Sequence, residues 1–162
     1  MAKRRIHTTF ECFVEKDGKY LMLKRSPDRT IMPGIWMAPG GHVLFCRGLF
    51  AEVRRRIMEE THLSIKDIKI RAAGIVYIQD INSEFALHLL TAKYKSGDVK
   101  ANPHDGELKW LKPEEILKLD MLLGELVDVL PHVFSDDPMV VSYRAVYESG
   151  NNMIEFEIEN PD

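Results

Sequence analysis

Residues Gly40–Leu63 read GGHVLFCRGLFAEVRRRIMEETHL. A glycine pair opens the stretch, and from about Leu49 to Thr61 its pattern is helical. Leu49, Val53 and Ile57 recur every four residues, which predicts a core-facing stripe, with Phe50 beside it. The positions between are charged. At about 100° per residue, Glu52, Arg56, Glu59 and Glu60 fall within roughly a third of the helix circumference. A glycine loop running into a helix with several carboxylates on one face can hold a hard cation such as Mg²⁺. Two arginines interrupt that face. Arg55 lies three residues after Glu52 and four before Glu59, and Arg56 lies four from both Glu52 and Glu60, so ion pairs are expected along the helix.

Upstream, IHTTFECFV and KYLMLKR flank Asp17-Gly18, a hairpin turn signal. Ser26 to Val43 carries three prolines and three glycines and reads as one long shaped loop without regular elements. Downstream, IKIRAAGIVYI and EFALHLLTAKYK are apolar at nearly every position. They predict strands inside a sheet covered on both faces. ELKWL predicts a short strand, and Pro113 opens a second helix expected to run through PEEILKLDMLLGELVDVL. MVVSYRAVYESGNNMIEFEIEN predicts a final hairpin turning at SGNN.

The chain has 162 residues, 45% apolar and 29% charged, with a net charge of −3. One domain over residues 1–162 is expected, and the charge balance calls for neither a nucleic acid polymer nor an anionic membrane. The basic start lacks the apolar segment of a secretory signal, and no apolar run reaches membrane-spanning length. Cys12 and Cys46 make no metal-type spacing. Two unpaired thiols in a reduced, cytoplasmic setting are expected.

The glycine loop and acidic helix resemble the Nudix box, G-x(5)-E-x(7)-R-E-U-x-E-E-x-G-U, where U is bulky and aliphatic. Gly41, Arg55, Ile57, Glu59, Glu60 and Leu63 keep its positions. Arg47 stands at the first glutamate, Arg56 at the glutamate after the arginine, and His62 at the second glycine. PGIWMAPGGHV before the box is similar to what family members carry there. DGELKWLKPEEILKL and the C-terminal hairpin resemble the 8-oxo-dGTP diphosphatase-like branch.

The resemblance implies an α+β chain with the Nudix fold, an α/β/α sandwich around a mixed β-sheet with a C-terminal β-hairpin. It implies hydrolysis of the pyrophosphate of a nucleoside diphosphate derivative, with an oxidised purine nucleoside triphosphate as one substrate. Mg²⁺, with Mn²⁺ as substitute, is the implied cofactor, bound weakly because cations replace two carboxylates. The metal would be held by Gly41, Glu59 and Glu60. The expected catalytic residues are Glu59, Glu60 and Glu107, the last as a water-activating base. Arg25, Gly40, Gly41, Arg47 and Arg56 are expected to bind substrate. The expected partner is a nucleotide, and a homodimer is compatible.

Three readings of the altered box stay open. The helix is a scaffold with an ion-paired face; or the site is a weakened hydrolase; or the pocket binds nucleotide without turnover, with Arg47 and Arg56 on the phosphates. Trp36 and Phe45 are expected to cover core rather than stack on a base. Trp110 is expected to pack under the second helix. Asn102 and Asp105 are candidates secondary to Glu107. His42 and His104 are expected to be idle.

Overall fold

A computed structural model of the protein describes residues 3–162; Met1 and Ala2, the start of the basic leading segment, lie outside it. The described residues form one mixed sheet of nine strands, in the order β3-β2-β1-β6-β5-β8-β9, with β4 also on β1 and β7 also on β2. The first hairpin joins β1 (Ile6–Lys16) to β2 (Lys19–Arg25). Asp17 and Gly18 both take positive φ, 52° and 75°, as a two-residue primed turn requires.

Beyond that turn β1 and β2 diverge. The long segment after β2 folds back into the fork between them as β3 (Trp36–Met37) and β4 (Gly40–His42). β3 pairs with β2, while β4 pairs with Thr9–Glu11 of β1. The expectation of a loop without regular elements is therefore corrected. Short strands form there because two open strand edges supply partners that local composition does not reveal. Gly40 is needed at this crossing, since a Cβ would lie 2.0 Å from the Phe10 carbonyl oxygen.

Helix α1 (Leu49–Thr61) follows, then the long central pair β5 (Ser64–Ile78) and β6 (Ser83–Ser96). β6 runs parallel to β1, and β5 runs parallel to β8 (Val141–Tyr147), which pairs with β9 (Met153–Glu159) as the expected hairpin. β7 (Gly106–Leu111) lies along β2. The single helix expected from Pro113 is broken into α2 (Pro113–Ile116) and α3 (Leu126–Val133). Trp36 intervenes: its amide donates to Met121 O at 2.8 Å, and its carbonyl accepts from the Leu123 amide at 3.0 Å. Those tertiary bonds replace helical ones across the interruption.

Two apolar clusters lie on opposite faces of the sheet. One packs Val53 and Ile57 of α1 against Phe10, Cys12, Leu21 and Leu90. The other packs α2 and α3 against Phe13, Met22, Leu89 and Tyr143. This is the expected α/β/α sandwich. Trp110 packs with the α1 cluster, not under the second helical segment, because β7 turns it to that face. The last turn of α1 ends at His62 with φ 65°, a left-handed cap whose amide donates to Met58 O.

Candidate active site

A cavity of about 550 Å³ opens where β1 and β2 part and α1 crosses the β4 end. It brings Arg25, Gly40, Gly41, Arg56, Glu59 and Glu60 together. Arg47 and Glu107 do not line it. Arg47 is exposed in the turn before α1, its amide on Leu44 O. Glu107 is exposed on β7 opposite Lys24. Phe45 is 96% exposed and covers no core, contrary to expectation. Trp36 packs against the core as expected, His42 borders the cavity, and His104 is exposed outside it.

The mouth is dense with guanidinium groups, since Arg25, Arg29, Arg55 and Arg56 all face it. Arg25, at the end of β2, is pinned by its Nε donating to Ile31 O at 2.9 Å. The ion pairs expected along α1 form in part. Arg55 donates to Glu52 at 3.1 Å and to Glu59 at 2.7 Å, and Arg56 Nε lies 3.1 Å from Glu60 Oε2. Arg56 does not reach Glu52, whose second oxygen accepts the Leu44 amide instead. Arg56 turns inward: its Nε donates to the Gly40 carbonyl at 3.0 Å, and its Nη atoms lie 3.8 Å from Glu59 and 3.5 Å from Asp105. Asp105 arrives on the loop before β7, anchored by the Ser26 amide on its carbonyl at 3.2 Å.

Burial pushes the Glu60 carboxyl up to about 7. The Arg56 charge works against that rise, and Asp105 adds to it. Glu52 is held below the ordinary range by its bonds to Arg55 and the Leu44 amide.

The cavity also carries two buried carboxyl groups that sequence reasoning missed. Glu11 and Glu125 are 2% and 1% exposed, and both line the cavity. Glu11 Oε1 accepts the Ala38 amide at 3.0 Å, and Glu125 Oε1 accepts the Tyr147 hydroxyl at 3.1 Å. Among the described residues, the second oxygen of each has no hydrogen-bond partner. Burial, then the neighbouring Glu125 charge, pushes Glu11 up to about 8, and burial pushes Glu125 up to about 7. The available signal was a charged residue at an apolar position: Glu11 interrupts FECFV and Glu125 interrupts LLGELV. Leu23, Val76, Phe85 and Leu87 add an apolar lining to the same cavity. A flat ring carrying hydrogen-bonding groups suits such a lining.

A family model described as the NUDIX domain matches residues 5–133. The chain belongs to the NUDIX family. The nucleoside triphosphatase NudI of Escherichia coli O81 (strain ED1a) is 26% identical over 119 residues, 67% of this chain and 83% of that protein. Among solved structures, a mutator MutT protein from Bacillus halodurans superposes with a TM-score of 0.78 at 23% identity, over 94% of this chain and 97% of that one. A MutT protein from Methanosarcina mazei Go1 gives 0.62 at 25% identity, over 75% and 88%. The structural likeness is one of Nudix fold.

Nudix proteins typically depend on Mg²⁺. The donor set here does not fit that ion well. The Arg56 guanidinium lies among Glu59, Glu60 and the Gly40 carbonyl, where a divalent cation would need contacts of about 2.0–2.1 Å. Among the described residues, no three histidine, cysteine or acidic side chains converge on one metal position. Gly41, the other expected metal residue, borders the same guanidinium, since a Cβ there would lie 3.2 Å from Arg56 Nε.

Proposed function

We propose that the protein binds a nucleoside diphosphate derivative in this cavity and cleaves its pyrophosphate only slowly. The observation that carries the reading is that one cavity is lined both by the Arg25 and Arg56 guanidinium groups and by the buried Glu11 and Glu125 carboxyl groups, each with one oxygen unpartnered among the described residues. A nucleotide carries groups for both, phosphates for the cations and ring N–H and carbonyl groups for the carboxyls. An oxidised purine nucleoside triphosphate belongs to that class. The name of the NudI relative supports a nucleoside triphosphate.

Slow turnover follows from the box acids. Glu59 and Glu60 each face a guanidinium, which repels Mg²⁺ and leaves little carboxylate charge to draw it in. Glu107 stands outside the cavity, so the water-activating role falls to Glu60, which is buried and pushed up towards neutrality.

Calorimetry and a pyrophosphatase assay on one nucleotide panel, with Mg²⁺, test this. Saturable binding with slow release of monophosphate is expected. Arg56→Glu should raise release by roughly tenfold or more, by adding a third carboxylate. Binding without release, even in that variant, would replace the enzyme by a nucleotide-binding protein. No binding to any nucleotide would end both readings.

A further inference from the structure

We infer that the Arg56 guanidinium is this protein's built-in substitute for a divalent cation, so that the cavity holds phosphate without metal. The inference rests on the reading of the cavity as a nucleotide pocket.

Four oxygen donors surround the group. The Gly40 carbonyl lies 3.0 Å from Nε, Glu60 Oε2 3.1 Å from Nε, Asp105 Oδ1 3.5 Å from Nη2 and Glu59 Oε1 3.8 Å from Nη1. One carbonyl and three carboxylates are hard oxygen ligands, the type Mg²⁺ takes, but they are spread around a planar side chain and converge on no single metal position. The group they surround is a guanidinium. The single Nε–H is spent on Gly40, so Glu60 Oε2, fully buried, accepts no hydrogen bond and is held by charge alone. That carboxyl group therefore has its counter-charge in Arg56, with Arg25 contributing from farther away. A metal ion could reach Glu60 and Gly40 only by expelling the guanidinium.

The contacts at the two Nη atoms are different. At 3.5 and 3.8 Å they are ion pairs, with no hydrogen bond from Nη to either carboxylate. Their N–H groups stay available, and Arg56 faces the cavity with its side chain 24% exposed. A guanidinium presents such donors in a fixed fork that matches phosphate oxygens, and it stays charged at every physiological pH. Arg25 lines the same cavity and offers a second guanidinium to phosphate oxygens. A fixed cation of this kind supplies charge and geometry to a bound diphosphate. It supplies no ordered water for attack, which agrees with slow cleavage.

The test uses the full chain with inorganic pyrophosphate and Mn²⁺ as probes. Pyrophosphate binding to the unmodified protein, by calorimetry, should change less than about twofold between excess EDTA and excess Mg²⁺. Arg56→Gln should weaken it by about tenfold or more, and Arg56→Lys by less. Mn²⁺ alone, followed by electron paramagnetic resonance, should bind Arg56→Glu at least about tenfold more tightly than the unmodified protein. Metal-dependent pyrophosphate binding by the unmodified protein overturns the inference, as does Mn²⁺ bound equally by both forms. These arms hold even if Arg56→Gln fails to fold, because the EDTA comparison needs no variant. Nucleotides that bind while pyrophosphate does not would overturn this inference and leave the pocket reading standing. A gained Mn²⁺ site with no nucleotide bound by any form would do the reverse.

Discussion

Helix α1 and the cavity floor treat the same side chain in opposite ways. On α1, Glu52 meets Arg55 at 3.1 Å through each of its oxygens and takes the Leu44 amide as well. Its carboxyl is held below the ordinary range. On the floor, Glu11 accepts one amide and Glu125 the Tyr147 hydroxyl, with the Tyr143 hydroxyl beside it, and among the described residues no cation forms an ion pair with either. Both are pushed up, to about 8 and about 7. Glu60 stands between the cases: it has Arg56 at 3.1 Å yet still rises to about 7, because burial outweighs one imperfect ion pair. Burial sets the protonation of these acids unless a guanidinium meets them with directed hydrogen bonds.

The largest expected effect separates the α1 acid from the floor acids by pH. An acid whose folded value is raised binds its proton more tightly in the folded state. Its folded-state advantage is full below the unfolded value and is lost as pH rises. For Glu11 that window runs from 4.5 to about 8, and for Glu125 and Glu60 from 4.5 to about 7. Glu52 has the opposite sign, and its contribution is lost only as pH falls below the ordinary carboxyl range. Thermal melts should therefore show Tm falling steadily from pH 5 to 8. Glu11→Gln should flatten part of that fall, being near neutral at pH 5 and stabilising at pH 8 by on the order of a few kcal/mol. A Tm flat between pH 5 and 8 in the unmodified protein would mean that the floor acids are solvated or paired.

The contrast also sorts what was legible in the sequence. The α1 end was largely readable, because helical spacing is local. The stripe of Val53 and Ile57, the pairing of Arg55 with Glu52 and Glu59, and the pairing of Arg56 with Glu60 all follow from three- and four-residue steps. The floor was not readable. Glu11 reaches its place because β1 forks from β2 and takes β4 on its free edge, and Glu125 because Trp36 breaks the second helix just before it. Both events are pairings between residues far apart in sequence. Asp105 was a secondary candidate and Glu107 the favoured one. The order reverses because β7 begins at Gly106, leaving Asp105 in the loop beside Arg56 and turning Glu107 outward.

A second prediction sharpens the intermediate case. Arg56→Met keeps an unbranched apolar stem and removes the charge beside buried Glu60. It should cost about 2–3 kcal/mol at pH 8, where Glu60 is ionised without its partner. Near pH 5.5 the carboxyl takes up a proton and the cost should shrink. Denaturant titrations at the two pH values measure the difference. An equal loss at both would show that the lost term is packing of the arginine stem, not charge.

Arg55→Ala probes the well-paired end. Glu52 and Glu59 lose a hydrogen-bonded partner, but Arg55 is half exposed, and water can replace it at Glu59. The drop in Tm should be smaller than for Arg56→Met, and it should diminish in high salt. A larger loss than Arg56→Met would reverse the ranking of the two arginines.

The smallest effect lies at the end of α1. His62 holds φ 65°, where glycine carries no steric penalty and histidine does. Its side chain is exposed. The bond that closes the helix, its own amide to Met58 O at 2.9 Å, belongs to the backbone and survives substitution. Replacing histidine by glycine therefore removes strain in the folded state and adds conformational freedom to the unfolded state, and the two terms oppose. The relief should equal or exceed the entropy, so His62→Gly should be neutral or stabilising by up to about 1 kcal/mol. The change should also be independent of pH between 5 and 8, because it leaves every acid of the cavity in place. A clear drop in Tm would show that His62 contributes a contact beyond its backbone. A pH-dependent gain would instead connect this cap to Glu59 and Glu60 in the preceding turn.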